Sequence, residues 1–329
     1  MAIDKNSQPQ LSTFNCQPST LSMNYKDLRI VFLGTPEFAR ASLQLLYEAG
    51  CKIVGVVTAP DKPAGRGMKM HHSAVKEYAV ERGLKLLQPE KLKNHEFLHE
   101  LKSLLADLQI VVAFRMLPEQ VWTMPPMGTV NLHASLLPEY RGAAPINWAV
   151  INGEEITGLT TFKLQHHIDT GNILLQDEMT IGPDETAGEL HDRMMIAGAE
   201  LLLHTIKGIA EGTLTEEPQE HSNHHKHAPK IFTETCRINW NRPVEEVYNL
   251  VRGLSPFPTA FTVLHQKILK IYSADKEITP IDGEPGDFAI EKGRLRFTCT
   301  NGYIYPKMIQ SEGKKKMPAE DFARGLRIN

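Results

Sequence analysis

The sequence predicts an α/β fold in two domains: an N-terminal domain built on a mostly parallel sheet, and a smaller C-terminal β-barrel. Three observations support this. The chain has 329 residues, which is longer than most single domains. Apolar strand-like runs alternate with amphipathic helical segments through the first two thirds of the chain. Short strand-like runs separated by turns with Gly and Asp fill most of the last part.

The first predicted unit is a strand, a helix and a second strand. Residues 28–33 form an apolar run, and residues 34–37 (GTPE) supply a turn glycine, a helix N-cap, a first-turn proline and a first-turn acid. A helix over 38–49 ends at Gly50, and residues 52–58 form a second buried strand. This βαβ unit implies a parallel, Rossmann-like sheet. Because the turn lacks the pattern G-x-G-x-x-G, no dinucleotide-binding site is predicted.

The alternation of strands and helices continues to the end of the first domain. Residues 60–70 are an exception, because their glycines, prolines and basic residues predict a flexible basic loop without helix or strand. A long amphipathic helix at 185–212 is expected to close the domain. The other predicted elements are helices at 73–82 and 96–105, strands at 84–87, 108–114 and 129–133, and paired strands at 160–164 and 172–176.

Composition sets the predicted domain boundaries. Residues 1–26 are rich in Ser, Gln, Asn and Pro and predict a mobile N-terminal tail, so the first domain spans 27–212. Residues 213–235 lack apolar periodicity and predict a linker, whose histidines have no recognisable ligand spacing and do not favour a metal site. Residues 236–329 are expected to form the barrel. Its predicted elements are a helix at 244–251 and strands at 260–264, 268–272, 288–290, 294–298 and 302–308.

Composition also excludes several functional classes. No apolar run approaches the roughly 18 residues that a membrane helix needs. The four cysteines are far apart and form no C-x-x-C motif, so neither a disulfide framework nor a cysteine metal site is predicted. We therefore expect a cytoplasmic protein with no membrane partner, and we also expect a monomer. Residues 236–329 carry 15 Lys and Arg against 11 Asp and Glu, a balance of +4, and the remainder has −7, so the smaller domain is suited to a polyanion.

Asn131 and His133 are the polar residues of an apolar strand. Because side chains i and i+2 of a strand share a face, the two point together. Prolines and glycines follow at once, so the pair lies where a strand enters a fixed loop, a common place for catalytic groups. An amide can donate to a developing oxyanion, and an imidazole can exchange a proton near neutral pH. An isolated N-x-H triplet is more often an ordinary strand end, and the neighbouring motifs decide between these interpretations.

Two motifs in this part of the chain resemble those of the folate-dependent formyltransferases. The first comprises NLHASLLP at 131–138 and YRGAAPI at 140–146, and the second is IDTG at 168–171. The resemblance extends to residues 34–38 and 60–67 and covers roughly residues 27–325, and it is greatest to the members that act on methionyl-tRNA.

The resemblance implies an activity and a set of site residues. The activity is transfer of a formyl group from 10-formyltetrahydrofolate to the α-amino group of methionyl-initiator tRNA, without a metal. Asn131 and protonated His133 would stabilise the oxyanion, while Asp169 would hold the imidazole and receive the amine proton. The implied folate contacts are Ser135, Leu136, Leu137 and Pro138. The expected tRNA contacts are Lys62, Arg66 and Lys69 in the basic loop, and Lys314, Lys315 and Lys316 in a C-terminal domain of the oligonucleotide-binding (OB) type.

Three alternative functions stay open at this point. A glycinamide ribonucleotide formyltransferase usually ends near the first domain, so the basic C-terminal part argues against it. An amino-sugar formyltransferase is not excluded by architecture. A non-catalytic tRNA-binding protein would have no need for Asn131, His133 and Asp169. One departure from the family concerns the folate pocket, since Phe114 and Arg115 stand where many relatives carry Tyr-Gly.

Overall fold

The computed structural model describes residues 23–64, 69–220 and 225–325. Its strands are β1 (Arg29–Gly34), β2 (Lys52–Val57), β3 (Lys62–Ala64), β4 (Lys69–His71), β5 (Leu86–Leu87), β6 (Leu108–Val112), β7 (Thr129–His133), β8 (Arg141–Gly142), β9 (Ile156–Lys163), β10 (Ile173–Thr180), β11 (His227–Ala228), β12 (Ala260–Leu264), β13 (Lys267–Ile278), β14 (Phe288–Glu291), β15 (Arg294–Cys299), β16 (Gly302–Ser311) and β17 (Met317–Pro318). Its helices are α1 (Glu37–Glu48), α2 (Ala74–Glu81), α3 (His95–Ser103), α4 (Glu119–Trp122), α5 (Pro145–Ile151), α6 (Ala187–Glu211), α7 (Val244–Gly253) and α8 (Ala319–Gly325), with a 3-10 turn at Glu234–Cys236.

The first domain is built on a seven-stranded sheet in the order β10-β9-β7-β6-β1-β2-β5. The five strands from β7 to β5 are parallel, and β9 and β10 are antiparallel additions at one edge. Both faces are covered. Ile30 and Phe32 pack in a core with α1 and α6, whereas Val31 and Leu33 pack in a second core with α3. This alternation along β1 explains why its sequence is apolar throughout and confirms the predicted fold class.

Helix α6 has well-defined ends. The Thr186 hydroxyl accepts from the Glu189 amide, and the Glu189 carboxylate accepts from the Thr186 amide, which is a complete capping box. Gly212 ends the helix in a left-handed conformation with φ 67°. Although α6 has 25 residues, no helix in the described ranges is both long and apolar enough to span a membrane.

The basic segment at 60–70 differs from its prediction as a loop without strands. Strands β3 and β4 pair antiparallel, with Lys62 opposite His71 and Pro63 opposite Met70. The base of this hairpin is fixed by the Asp61 carboxylate, which accepts hydrogen bonds from Lys76 and Gln88 and lies 3.1 Å from His72 Nδ1. These bonds hold the pKa of Asp61 well below its usual range. The prediction was wrong because long-range side-chain contacts anchor this segment despite its loop-like composition.

The predicted mobile tail must also be shortened. Residues 1–22 lie outside the described residues, but residues 23–26 contact the first domain. The Met23 amide donates to the Ala210 carbonyl over 3.0 Å, and the Tyr25 hydroxyl donates to the Ala49 carbonyl over 3.2 Å. One aromatic side chain therefore anchors a stretch whose composition is otherwise typical of a tail.

The segment at 213–235 crosses the first domain, and the predicted linker is therefore not a free connection. Glu217 exchanges two backbone hydrogen bonds with Ile173, over 2.8 and 2.9 Å. Strand β11 pairs in parallel with β8. Residues 221–224, which include two of the four histidines, are outside the described residues. The prediction missed these contacts because backbone pairing leaves no periodic side-chain pattern.

The C-terminal domain contains an antiparallel sheet in the order β12-β13-β16-β15-β14, with β17 paired to β16. Among the described residues β12 and β14 share no ladder, so the sheet is open at that seam, as is common in OB-type barrels. Trp240 stacks on Phe297 in its core, with ring centroids 4.6 Å apart. Helix α7 packs against α5 of the first domain, where the Asn147 amide donates to the Gly253 carbonyl over 2.8 Å.

Candidate active site

The polar residues of the first motif lie at the carboxyl edge of the parallel sheet. Strand β1 lies between β2 and β6, so the chain order runs outward in both directions from this point. Ligands of open α/β sheets bind at the carboxyl ends of the strands near such a switch point. His133 is the last residue of β7, the strand next to β6, and Asn131 lies two residues before it. Strand β9 runs antiparallel to β7 and ends beside the start of β7. The segment that connects β9 to β10 then brings the Asp169 carboxylate within 4.0 Å of His133 Nδ1.

His133 is 7% exposed and has defined contacts on both ring nitrogens. Nε2 lies 3.0 Å from the Tyr140 carbonyl oxygen, and Nδ1 lies 4.0 Å from Asp169 Oδ2. Because a carbonyl only accepts, Nε2 must carry a proton in this arrangement. The neutral ring then has its lone pair on Nδ1, and protonation adds a donor at Nδ1. The nitrogen available for chemistry is therefore Nδ1, and the Tyr140 carbonyl fixes the tautomer.

Hydrogen bonds hold both the side chain and the backbone of Asp169. The residue has a left-handed conformation with φ 52°, which is unfavourable for a residue with a Cβ. The Gly142 amide donates to Asp169 Oδ2 over 3.0 Å. The Gln219 side-chain amide donates to the Asp169 carbonyl oxygen over 3.0 Å. These contacts orient the carboxylate towards His133 and leave Oδ2 4.0 Å from Nδ1.

Asn131 contributes an amide without an assigned structural task. It is half-buried, and its side chain makes no hydrogen bond to another residue in the described ranges. On β7 it lies two positions from His133, so both side chains project from one face of the sheet. An amide with no partner among the described residues can donate to a bound oxygen.

A cleft of about 510 Å³ opens at the same edge of the sheet, which is a usual size for a small-molecule site. It is lined by residues that follow β5 and β6, and its lining does not include Asn131, His133 or Asp169. The Arg115 guanidinium crosses between the two loops, donating to the Pro89 carbonyl and, over 2.8 Å, to the Glu90 carbonyl. The lining residues are Leu92, Lys93, Arg115, Met116, Leu117, Pro118, Glu119 and Gln120.

Comparison with known proteins identifies the family. Residues 28–206 match the formyl transferase family, and residues 230–327 match the formyl transferase C-terminal domain. The methionyl-tRNA formyltransferase of Bacteroides fragilis is 48% identical over 315 residues, which are 93% of this chain and 97% of that protein. The enzyme of the same name from Flavobacterium johnsoniae is 49% identical over 91% of this chain and 96% of its own length. The chain belongs to the formyltransferase family.

A solved structure supports the fold of this formyltransferase. The N-formyltransferase from Helicobacter canadensis, in complex with folinic acid and dTDP-3-aminofucose, is similar with a TM-score of 0.65 and 19% identity. The match covers 85% of this chain and 98% of that one. At this identity the likeness shows the fold alone.

The predicted folate contacts of the formyltransferase are mainly used to build its own loop. Ser135 is fully buried and its hydroxyl donates to the Glu139 carbonyl over 2.6 Å. Leu137 is also buried, and its amide donates to Thr160 Oγ1 over 3.1 Å. Leu136 and Pro138 are half-buried and keep accessible surface. Contact with folate stays a prediction, and this geometry favours Leu136 and Pro138 over Ser135 and Leu137.

The predicted tRNA contacts fall into two groups. Lys62 is exposed on β3, the backbone of Lys69 lies in β4, and Arg66 lies outside the described residues. Lys314, Lys315 and Lys316 are exposed in the turn between β16 and β17, and none forms an ion pair with another residue of the described ranges. Lys316 Nζ lies 4.2 Å from the centroid of the Tyr272 ring. The structure does not bring the two groups into contact, and tRNA contact stays a prediction for both.

Sequence reasoning missed Gln219, Arg141 and Tyr140 as parts of this site. Gln219 lies in the segment predicted to be a linker, 50 positions from Asp169 in the chain. Tyr140 contributes its backbone carbonyl, which no sequence pattern reports. The described residues contain no group of three His, Cys, Asp or Glu that could hold a metal ion.

Proposed function

We propose that this formyltransferase moves the formyl group of 10-formyltetrahydrofolate to the α-amino group of methionyl-initiator tRNA. The observation that carries the proposal is the approach of His133 and Asp169 to 4.0 Å, with Asn131 on the same face of β7 as His133. Relatives named for this activity match the chain over nearly their whole length. The formyl donor is assigned from the family resemblance, with support from a similar fold that binds folinic acid.

The residues divide the chemistry between charge stabilisation and proton transfer. As the amine nitrogen attacks the formyl carbon, the formyl oxygen gains negative charge, which the Asn131 amide and the Nδ1 proton of His133 stabilise. Asp169 accepts the proton of the attacking amine, directly or through water. The bond between the formyl carbon and N10 of the folate then breaks, and N10 takes up a proton. No side chain needs to form a covalent bond to the formyl group.

The geometry supports separate roles for His133 and Asp169. Because Nε2 donates to the Tyr140 carbonyl, proton exchange at Nδ1 leaves the ring orientation unchanged. Asp169 is 4.0 Å away, too far for a direct hydrogen bond to Nδ1, so its carboxylate can serve the amine and stabilise the imidazolium together.

A second candidate, transfer to an amino sugar, has the similar Helicobacter canadensis fold in its favour. The methionyl-tRNA assignment has the greater support, since relatives of that name are about half identical to this chain. The basic balance of residues 236–329 also suits a nucleic acid acceptor. We further propose that the enzyme acts in the cytoplasm as a monomer. Light scattering of the purified protein tests the monomeric state.

The decisive assay measures formyl transfer from 10-formyltetrahydrofolate to methionyl-initiator tRNA and, separately, to a dTDP-amino sugar. We expect activity with tRNA only. Asn131→Ala should lower kcat by about 10² to 10³, the usual effect of losing one oxyanion donor, with folate binding largely retained. Asp169→Asn keeps the size of the side chain and removes the carboxylate, so it tests the proposed proton acceptor. Transfer to the sugar alone would refute the proposed acceptor, and an Asn131→Ala enzyme with most of the wild-type kcat would refute the proposed role.

A further inference from the structure

Gln219 makes a complete set of hydrogen bonds around the catalytic turn. Its side chain is buried, with 5% of the residue exposed. Nε2 donates to the carbonyl oxygens of Asp169 over 3.0 Å and of Gly171 over 2.7 Å. Oε1 accepts from Arg141 Nε over 3.1 Å and from Arg141 Nη2 over 2.5 Å. Both amide protons and the amide oxygen are therefore used, which leaves the side chain one orientation.

The turn that Gln219 holds needs external support. Asp169 has φ 52°, a left-handed backbone conformation that residues with a Cβ rarely adopt. Gly171 comes so close to the Lys163 carbonyl that a Cβ there would lie 1.6 Å from its oxygen. Two carbonyl groups of this tight turn point to the same amide nitrogen. If this amide were removed, the two carbonyl groups would lose their buried hydrogen-bond donor. The turn could then relax to a conformation in which the Asp169 carboxylate points away from His133.

Gln219 also connects the turn to the strand that holds the carboxylate. Arg141, which donates to Gln219, precedes Gly142, whose amide donates to Asp169 Oδ2. Two adjacent residues thus help to fix Asp169: Arg141 acts on its backbone through Gln219, and Gly142 binds its side chain.

The segment carrying Gln219 is fastened on both sides. Before it, Glu217 pairs with Ile173 at the start of β10, and Glu216 accepts from Asn172 over 3.1 Å and pairs with Lys163 over 2.5 Å. After it, β11 pairs with β8. The described parts of this segment are held against the motif loops on either side of the site.

We infer that Gln219 is a positioning residue for Asp169, an assignment that rests on the proposed formyl transfer. Acting through Arg141 and the two turn carbonyls, it keeps the carboxylate facing His133. The connection between the domains therefore supplies part of the active-site framework.

The sharpest variant is Gln219→Glu. It keeps the size of the side chain and an acceptor for Arg141, but it places a carboxylate oxygen opposite the carbonyls of Asp169 and Gly171. We expect kcat to fall by about 10²-fold, as for a displacement of about 1 Å in a catalytic group, with KM for both substrates within about twofold of wild type. Gln44→Glu, on the surface of α1, introduces the same charge change away from the site and should leave kcat unchanged.

A double-mutant cycle separates positioning from a general structural role. In an Asp169→Asn background, measured by single-turnover kinetics at high enzyme concentration, adding Gln219→Glu should cost less than about twofold, because the group that it positions is already absent. An equal loss in both backgrounds would overturn the inference, as would a fully active Gln219→Glu enzyme.

Thermal unfolding monitored by circular dichroism shows whether each variant is folded. If Gln219→Glu does not fold, Arg141→Lys provides the second test, because it keeps the charge and removes the two-nitrogen contact with Gln219. It should lower kcat by about 10-fold with little change in KM, and an unchanged kcat would overturn the inference. A wild-type enzyme inactive towards methionyl-tRNA would refute the proposed function instead, so the two failures are distinguishable.

Discussion

Gly142→Ala offers a direct test of how the backbone holds the Asp169 carboxylate, the proposed proton acceptor. Gly142 has φ 127°, and its amide donates to Asp169 Oδ2 over 3.0 Å. A Cβ at this position would lie 2.4 Å from the Ala228 carbonyl oxygen, in the paired strand β11. Real Cβ atoms essentially never come closer than 3.0 Å to such an atom, so β8 or β11 must move by at least 0.6 Å.

Two separate costs follow from this geometry. The positive φ adds roughly 1 to 3 kcal/mol of backbone strain to the folded state, which should lower the free energy of unfolding by a similar amount. The forced shift displaces the amide that holds Asp169, and a displacement of about 1 Å in a catalytic constellation costs about 10² in rate, or about 2.7 kcal/mol of barrier. At a temperature where the variant stays folded, the loss of stability alone would leave kcat unchanged. We therefore expect kcat to fall because the amide that holds Asp169 has moved.

The assay compares kcat and the thermal midpoint of Gly142→Ala with those of Gly293→Ala. Gly293 also has a positive φ, 80°, but nothing lies within 4 Å of its Cβ position. The control should therefore lose stability from strain alone and keep the wild-type kcat. If the two variants have kcat values within twofold of each other, the argument that Gly142 orients Asp169 is refuted.

Three further predictions concern the hairpin, the C-terminal turn and a buried thiol. Asp61→Ala removes the acceptor that fixes the hairpin base and should raise KM for methionyl-tRNA several-fold, with the folate KM unchanged; an unaltered tRNA KM would contradict this. Replacing residues 314–316 together by Gln should weaken tRNA binding and reduce the slope of log Kd against log salt by about 0.7 to 0.9 for each phosphate that is no longer neutralised. Burial raises the pKa of the Cys51 thiol to about 11, so its alkylation in the native protein should become rapid only near that pH, whereas fast alkylation of native Cys51 at neutral pH would contradict the burial argument.

The parts of the fold that could be predicted from the sequence are those with a periodic pattern. Strand β1 and helix α1 were predicted to within one residue at each end, because an apolar run, a turn glycine and an amphipathic helix follow one another there. The antiparallel hairpin of β9 and β10 was also predicted and is confirmed. Short elements without a pattern, such as α4, α5 and α8, were not found, since four to seven residues carry too little periodicity to be recognised.

The site was predictable where a motif carries side chains and not where it depends on backbone groups. Asn131, His133 and Asp169 were identified because their neighbours resemble a known family. The contribution of Tyr140 is a carbonyl oxygen and that of Gly142 is an amide, and any residue type has these groups. Gln219 reaches the turn only after the chain has passed through α6, so its role depends on tertiary structure.

These contacts explain why the connection between the domains cannot be treated as a spacer. A free linker would place no constraint on Asp169, whose left-handed backbone would have to be supported by the turn alone. Here the connection supplies a buried amide to the turn and a strand partner to β8, so both anchors of the carboxylate depend on it. The C-terminal domain follows this segment directly in the chain, and its helix α7 packs on α5. The described parts of residues 213–235 therefore lie between the C-terminal domain and both anchors of the Asp169 carboxylate in the chain.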